Sequence, residues 1–400
     1  MTARTRFALS LLLAAAATVS IEAAVQLGDL GKIAKGVANK PKFSDEDEGR
    51  MAQANAQEYE AKHKIWPDPL LETYLGGIVQ KLVAVAEPRP FPYRLRVVTD
   101  ASLNAFTFGG GLLYIHAGLV ARLENEAQLT MVLGHEIAHV TERHVTKGIE
   151  KAHGLQLLGE IGMTAGSATG VLPNSAALGK AYEYSMAAAI NGHGRNQERD
   201  ADRIGLDYLV KAGYDPREGP ITFELLMAEY GDAKRLQAFF YSSHPSNQER
   251  YKTLTDLSKS KYGKVLETTK LAVNTEEFKR ATRRVVIAVG VNDYESKRFN
   301  AARAMFEKAV RAYQDDPEPH YYLGKIALET SSEVDKAIAH FEAAITADPQ
   351  FPPTYRDLGL AQYRKGERLK AIASLERYLV LDPKAKDADQ IRATIAELKR

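Results

Sequence analysis

The 400-residue chain contains no cysteine. That excludes disulfides and a lipid-modified cysteine, so stability has to come from buried core, which a chain of this length can supply. Charge of one sign is also lacking: the formal net charge is +2, and no basic run is interleaved with aromatics. A nucleic acid is therefore not expected as a partner. The triple glycine at 109–111 is not followed by Gly-Lys-Ser/Thr, so it is not a phosphate loop. Phe7–Val19 is an apolar run of 13 residues, short of the roughly 20 that cross a bilayer.

That short run has basic residues before it (Arg4, Arg6) and small ones after it (Ser20, Ala23, Ala24). Residues 1–24 are expected to be a cleaved signal peptide; an uncleaved inner-membrane anchor is the alternative. An exported chain without cysteine suits a bacterial periplasm. Residues 154–190, rich in Gly, Ala and Ser but carrying Glu160, Lys180, Glu183 and Pro173, read as loosely amphipathic helices rather than a membrane span.

Between these segments the pattern alternates between helix and strand. Leu70, Leu71, Tyr74, Leu75, Ile78 and Leu82 recur at helical spacing, and Pro88, Pro90 and Pro92 end that helix. "YRLRVV" and "GLLYIHAG" read as strands, the second after a glycine turn. From residue 285 a helix-pair pattern takes over. Gly359, Ala371, Leu375 and Pro383 match Gly324, Ala337, Phe341 and Pro349, with Pro349 and Pro383 34 residues apart. That is the period of a tetratricopeptide array, whose concave face binds a protein or peptide. A half-copy, Ala302, Phe306 and Ala309, precedes them. The fold expected is mainly α with a small β-sheet: a signal peptide (1–24), a helical domain that holds the sheet (25–270) and an α-solenoid (285–400).

The chemistry concentrates in "VLGHEIAHVTERH", residues 132–144. His135 and His139 are four apart, about 40° around a helix and one turn up, so both imidazoles reach one ion. Glu136 is placed to take a proton from a water beside it. Leu129, Val132, Leu133, Ile137 and Val140 form an apolar stripe, with the histidines at its edge. His144, nine residues past His135, is expected to face away. The third ligand is sought in "GRNQERDADRIGLDYL", where Glu198 lies 59 residues after His139. Asp202, one turn on, would accept from the outer nitrogen of a ligating histidine. Two histidines and a carboxylate with one open position best suit zinc, one ion per chain. The strand "GLLYIHAG", with Gly111 and Leu113, is expected to take an extended substrate by strand addition. His63, His153, His193, His320 and His340 read as solvated.

"NAFTFGGGLLYIHAGL", "LGHEIAHVTERH", "GRNQERDADRIG" and "SSHPSNQER" together resemble the gluzincin metallopeptidases related to the CAAX proteases. The likeness is greatest to the periplasmic, BepA-like members with a tetratricopeptide tail. It covers residues 43–260 for the peptidase and 285–400 for the repeats, and departs at Gly194, where many relatives have Ser. The resemblance implies zinc on His135, His139 and Glu198, Glu136 as base, and Asn104 near the cleft. It makes His244 of the "HP" loop, with Arg250 after it, a latch in the fourth zinc position; an oxyanion donor is the other reading of His244. It also implies unfolded or misassembled envelope proteins as substrates, and the outer-membrane assembly machinery as a partner of the repeats. The rival is a repeat-based chaperone or assembly factor with a latched or structural zinc site.

Overall fold

The computed structural model describes residues 43–151, 193–230 and 247–400. The expected signal peptide (1–24), the 154–190 segment, His153 and His244 lie outside these residues. Helix α1 (Asp45–Lys62) starts at a capping box: the Ser44 hydroxyl accepts from the Asp47 amide and the Asp47 carboxylate accepts from the Ser44 amide. Helix α2 (Pro69–Val83) begins with proline after Asp68, whose carboxylate accepts from the Leu70 and Leu71 amides. Leu71, Leu75, Ile78, Val79 and Leu82 are buried, whereas Leu70, one position off that stripe, is 80% exposed.

Three strands follow: β1 (Arg94–Val98), β2 (Ala105–Thr107) and β3 (Leu112–His116). The sheet order is β1-β3-β2, with β1 parallel and β2 antiparallel to β3. This corrects the expected substrate strand. Leu113 is paired with Leu95 on one side and Thr107 on the other, so β3 has no free ladder to offer. Gly111 belongs to the turn, where residues 109–111 all have positive φ. Its carbonyl accepts from the Arg94 amide at 2.9 Å. The Gly110 amide donates to Glu48 Oε1 at 3.2 Å, and a Cβ there would sit 2.7 Å from that of Ala52. Both β1 and β2 are edge strands of this sheet; the outer side of β1 is bridged at its end, Val98 to Ile65, whereas among the described residues no bridge is formed on the outer side of β2.

At the end of β3, His116 is buried, its Nε2 3.2 Å from the Tyr59 hydroxyl and its Nδ1 2.7 Å from Ser102 Oγ. Burial pushes its pKa down to about 4, against a partial opposing pull from Asp100. An unfolded histidine titrates near 6.5. Between the two values the unfolded chain takes up a proton that the folded chain refuses, so stability falls as pH drops from about 6.5 to about 4. The full effect is roughly 3 kcal/mol, absent above that window. Urea unfolding at pH 7.5 and 4.5 checks it: His116→Gln should lose much less stability between the two than wild type. An equal loss in both would remove His116 from this account.

Short helix α3 (Ala117–Arg122) leads into α4 (Glu126–Thr141), which carries the two spaced histidines. Helix α4 is buried on nearly every side, and both of its ends are tied down. In the first turn the Glu126 carboxylate accepts from the Tyr74 and Tyr214 hydroxyls and from Asn274 Nδ2. At the other end Arg89 donates to the Val140 carbonyl at 2.5 Å while paired with Glu48 and Asp45, placing a cation at the helix C-terminus. Helices α5 (Arg195–Lys211), α6 (Glu218–Tyr230), α7 (Asn247–Ser260) and α8 (Gly263–Thr268) complete this half. Helices α4 and α5 cross backbone to backbone. A Cβ on Gly134 would lie 2.9 Å from the Gly205 carbonyl, and one on Gly205 2.7 Å from the His135 amide nitrogen.

The C-terminal part is three helix hairpins and a final helix: α9 (Thr275–Glu295) with α10 (Phe299–Ala312), α11 (Pro317–Thr330) with α12 (Val334–Ala347), α13 (Pro352–Lys365) with α14 (Arg368–Leu381), then α15 (Ala388–Leu398). The same contact recurs in each hairpin: Gly290 on Phe306, Gly324 on Phe341, Gly359 on Leu375. Gly290 therefore completes the half-copy read from the sequence. Phe278, Val285, Val286 and Val289 of α9 share one core with Leu133 and Ile137 of α4. Lys308 of α10 donates to the carbonyls of Ala121 and Leu123 behind α3, and Arg122 pairs with Asp293 at 3.5 Å. Among the described residues, no helix is long and apolar enough to cross a membrane.

Candidate metal centre

The close crossing of α4 and α5 brings Glu198 against the two histidines. His135 Nε2 and His139 Nε2 are 3.0 Å apart, and Glu198 lies 3.4 Å from the first and 3.6 Å from the second. Four ligands around a tetrahedral zinc, with bonds near 2.0–2.1 Å, are about 3.3 Å apart. The separations therefore fit one ion, and the N, N, O donor set suits a borderline cation. Among the described residues this is the one group of three or more such side chains with donor atoms within 4.8 Å of one another. All three residues are buried, as is Glu136 beside them on α4.

Asp202 lies where the sequence places it, with Oδ1 2.9 Å from His135 Nδ1. Arg250 of α7 clamps the same carboxylate, Nη2 to Oδ1 at 2.6 Å and Nε to Oδ2 at 2.8 Å. Its guanidinium also stacks 4.3 Å above the Phe223 ring. Burial and Arg250 push the His135 imidazole down, but the Asp202 and Glu198 carboxylates outweigh them and lift it to about 9. Burial favours a neutral Asp202, and Arg250 together with His135 holds its carboxyl below the usual range. Among the described residues the outer nitrogen of His139 meets an imidazole rather than a carboxylate, and His139 is driven well below 6.5, chiefly by burial and then by His193 and His135.

Two histidine readings are corrected here. His144 does not face away: its Nδ1 is 2.8 Å from His139 Nδ1. Helix α4 stops at Thr141, and Arg143 takes a left-handed conformation with φ 59°, so helical phase is lost before residue 144. His193 is not solvated either; its ring stacks on His139 with centroids 4.0 Å apart. His63 stacks on Tyr59, and His320 and His340 meet at 3.3 Å across the second hairpin. Asn104 is buried just before β2. Its carbonyl accepts from the His116 amide at 2.8 Å, and its side-chain oxygen has no hydrogen-bond partner among the described residues.

Residues 69–258 match the model of peptidase family M48. The chain carries an M48 domain. Tetratricopeptide models match residues 290–352 and 323–396. The chain is similar to a putative beta-barrel assembly-enhancing protease of Vibrio cholerae, 33% identical over 186 residues, covering 46% of this chain and 38% of that protein. It is similar to the beta-barrel assembly-enhancing protease of Escherichia coli K12 at 32%, covering 40% and 33%. The mitochondrial metalloendopeptidase OMA1 of Arabidopsis thaliana is also 32% identical, covering 40% and 31%. The chain thus spans less than two-fifths of the length of these relatives. Every donor of the three-residue cluster falls inside the M48 domain.

Proposed function

We propose that this chain is a zinc-dependent endopeptidase of the bacterial periplasm that cleaves unfolded or misassembled envelope proteins. The observation that carries this reading is the convergence of His135, His139 and Glu198 next to buried Glu136 within an M48 domain. One zinc ion there would supply Lewis-acid polarisation of the scissile carbonyl and of the attacking water. Glu136 takes the proton from that water and delivers it to the leaving amine. Asp202 and Arg250 fix the orientation of His135. An extended peptide pairs with the edge of β2, not β3, and Asn104 offers it the buried oxygen that lacks a partner. His244 closes the cleft as a latch or donates to the oxyanion. The repeats bind protein partners, the outer-membrane assembly machinery among them, a proposal supported by the names of the bacterial relatives.

The test is cleavage of unfolded casein by the purified chain. Cleavage should stop with a chelator and return on adding about one equivalent of zinc per chain. Zinc bound tightly with no cleavage, in wild type and in His244→Ala alike, would replace this reading with that of a repeat-based assembly factor.

A further inference from the structure

Helix α4 and the turn after it hold a third histidine against the centre, and its geometry assigns it a task. His139 Nε2 faces the point shared with His135 and Glu198. The proton of a neutral, ligating His139 therefore sits on Nδ1, which is 2.8 Å from His144 Nδ1. Two N–H groups cannot face each other at that distance, so the His144 nitrogen is the acceptor. We infer that His144 is a positioning residue of the metal centre, holding the His139 Nδ1–H and so fixing which nitrogen of His139 meets the ion. His135 has a carboxylate in this place, Asp202; His139 has a second imidazole. This inference rests on the metal reading proposed above.

The chain is built to put His144 there. Arg143 is neither Gly, Asn nor Asp, yet it adopts φ 59°, a conformation that costs about 1–2 kcal/mol for such a residue. It is held in it by its own side chain, which donates to Asp45 at 3.1 Å and to the Phe43 carbonyl. The His144 carbonyl accepts from Gln197 Nε2 at 3.2 Å, one residue before Glu198. The turn is thus tied both to α1 and to the first turn of α5, which projects the third donor. A local strain that is fixed from two sides marks a required arrangement.

The experiment compares zinc affinity by competition with a chromophoric chelator, and the visible absorption of the cobalt-substituted protein, in wild type, His144→Phe and His144→Asn. Phe keeps a ring and has no acceptor; Asn keeps an acceptor at the δ position. His144→Phe should lose about 10- to 100-fold in zinc affinity and shift the cobalt bands, whereas His144→Asn should stay within about threefold of wild type. If His144→Phe does not fold, His144→Ala is titrated with free imidazole, which should restore affinity. Wild-type affinity and an unchanged cobalt spectrum in His144→Phe would overturn the inference, as would no rescue by either Asn or imidazole. A wild-type chain that takes up no zinc would sink the metal reading itself, and this inference with it.

Discussion

Glu136→Gln is expected to cut casein cleavage by about 10³-fold while leaving zinc content at the wild-type level. Glu136 is not one of the three converging donors, so its replacement removes no ligand. The glutamine amide has the same shape and hydrogen-bonds, so the buried environment around α4 is preserved. What the amide cannot do is accept a proton. A proton acceptor in place is worth about 10²–10⁴-fold, and the loss should appear in kcat with little change in KM. Initial rates on casein beside zinc per chain decide it. Wild-type turnover in a zinc-loaded Glu136→Gln chain would end the proposed role of this residue.

Asp202→Ala is expected to weaken both the metal site and the fold. The carboxylate takes the outer nitrogen of His135 and the Nε and Nη2 groups of Arg250, and all three side chains are buried. Losing the acceptor for His135 should lower zinc affinity by about 10- to 100-fold. Leaving the buried guanidinium without its paired carboxylate, with Glu198 still 3.6 Å from it, should destabilise the chain by about 3–5 kcal/mol. The two effects separate in the double variant Asp202→Leu with Arg250→Met. It removes the stranded guanidinium together with its partner, so part of the stability should return, while zinc affinity stays low. Urea unfolding of the metal-free proteins and a zinc competition assay read the two outcomes. Equal stability of Asp202→Ala and wild type would show that this pair does not support the fold.

The convergence of His135, His139 and Glu198 was legible because their spacing is a property of regular helices. His135, Glu136 and His139 need only the helical period, and Glu198 and Asp202 repeat it on a second helix. Asn104, placed by resemblance alone, stands just before edge strand β2 in the structure, with a buried side-chain oxygen that has no partner among the described residues. What failed was whatever depends on a break in the period or on pairing between distant segments. His144 was misplaced because Glu142 and Arg143 are not helix breakers; the left-handed turn is imposed by Asp45 and Phe43, a hundred residues away in sequence. The substrate strand was misassigned because three short strands do not announce their order, and β3 takes the centre only when β1 pairs parallel to it. Glu126 and Arg89, which anchor the two ends of α4, carried no pattern, since each is one charged residue whose partners are assembled by folding. Gly290 did leave a signal. It stands 34 residues before Gly324, and the repeat period alone could have found it.

Helix α9 opens the first hairpin of the repeat array and at the same time fills the peptidase core with Phe278, Val285 and Val286. The two halves are therefore not detachable modules. A peptidase half ending before Thr275 would leave an open apolar trough where α9 lay, and a repeat array starting there would present those side chains to water and invite aggregation. In the lineage of this chain, loss or exchange of the tail has to leave α9 behind. A force applied to the array by a bound partner would reach α3 through Lys308 and Arg122 as a push on a rigid strut, without slack from an intervening tether.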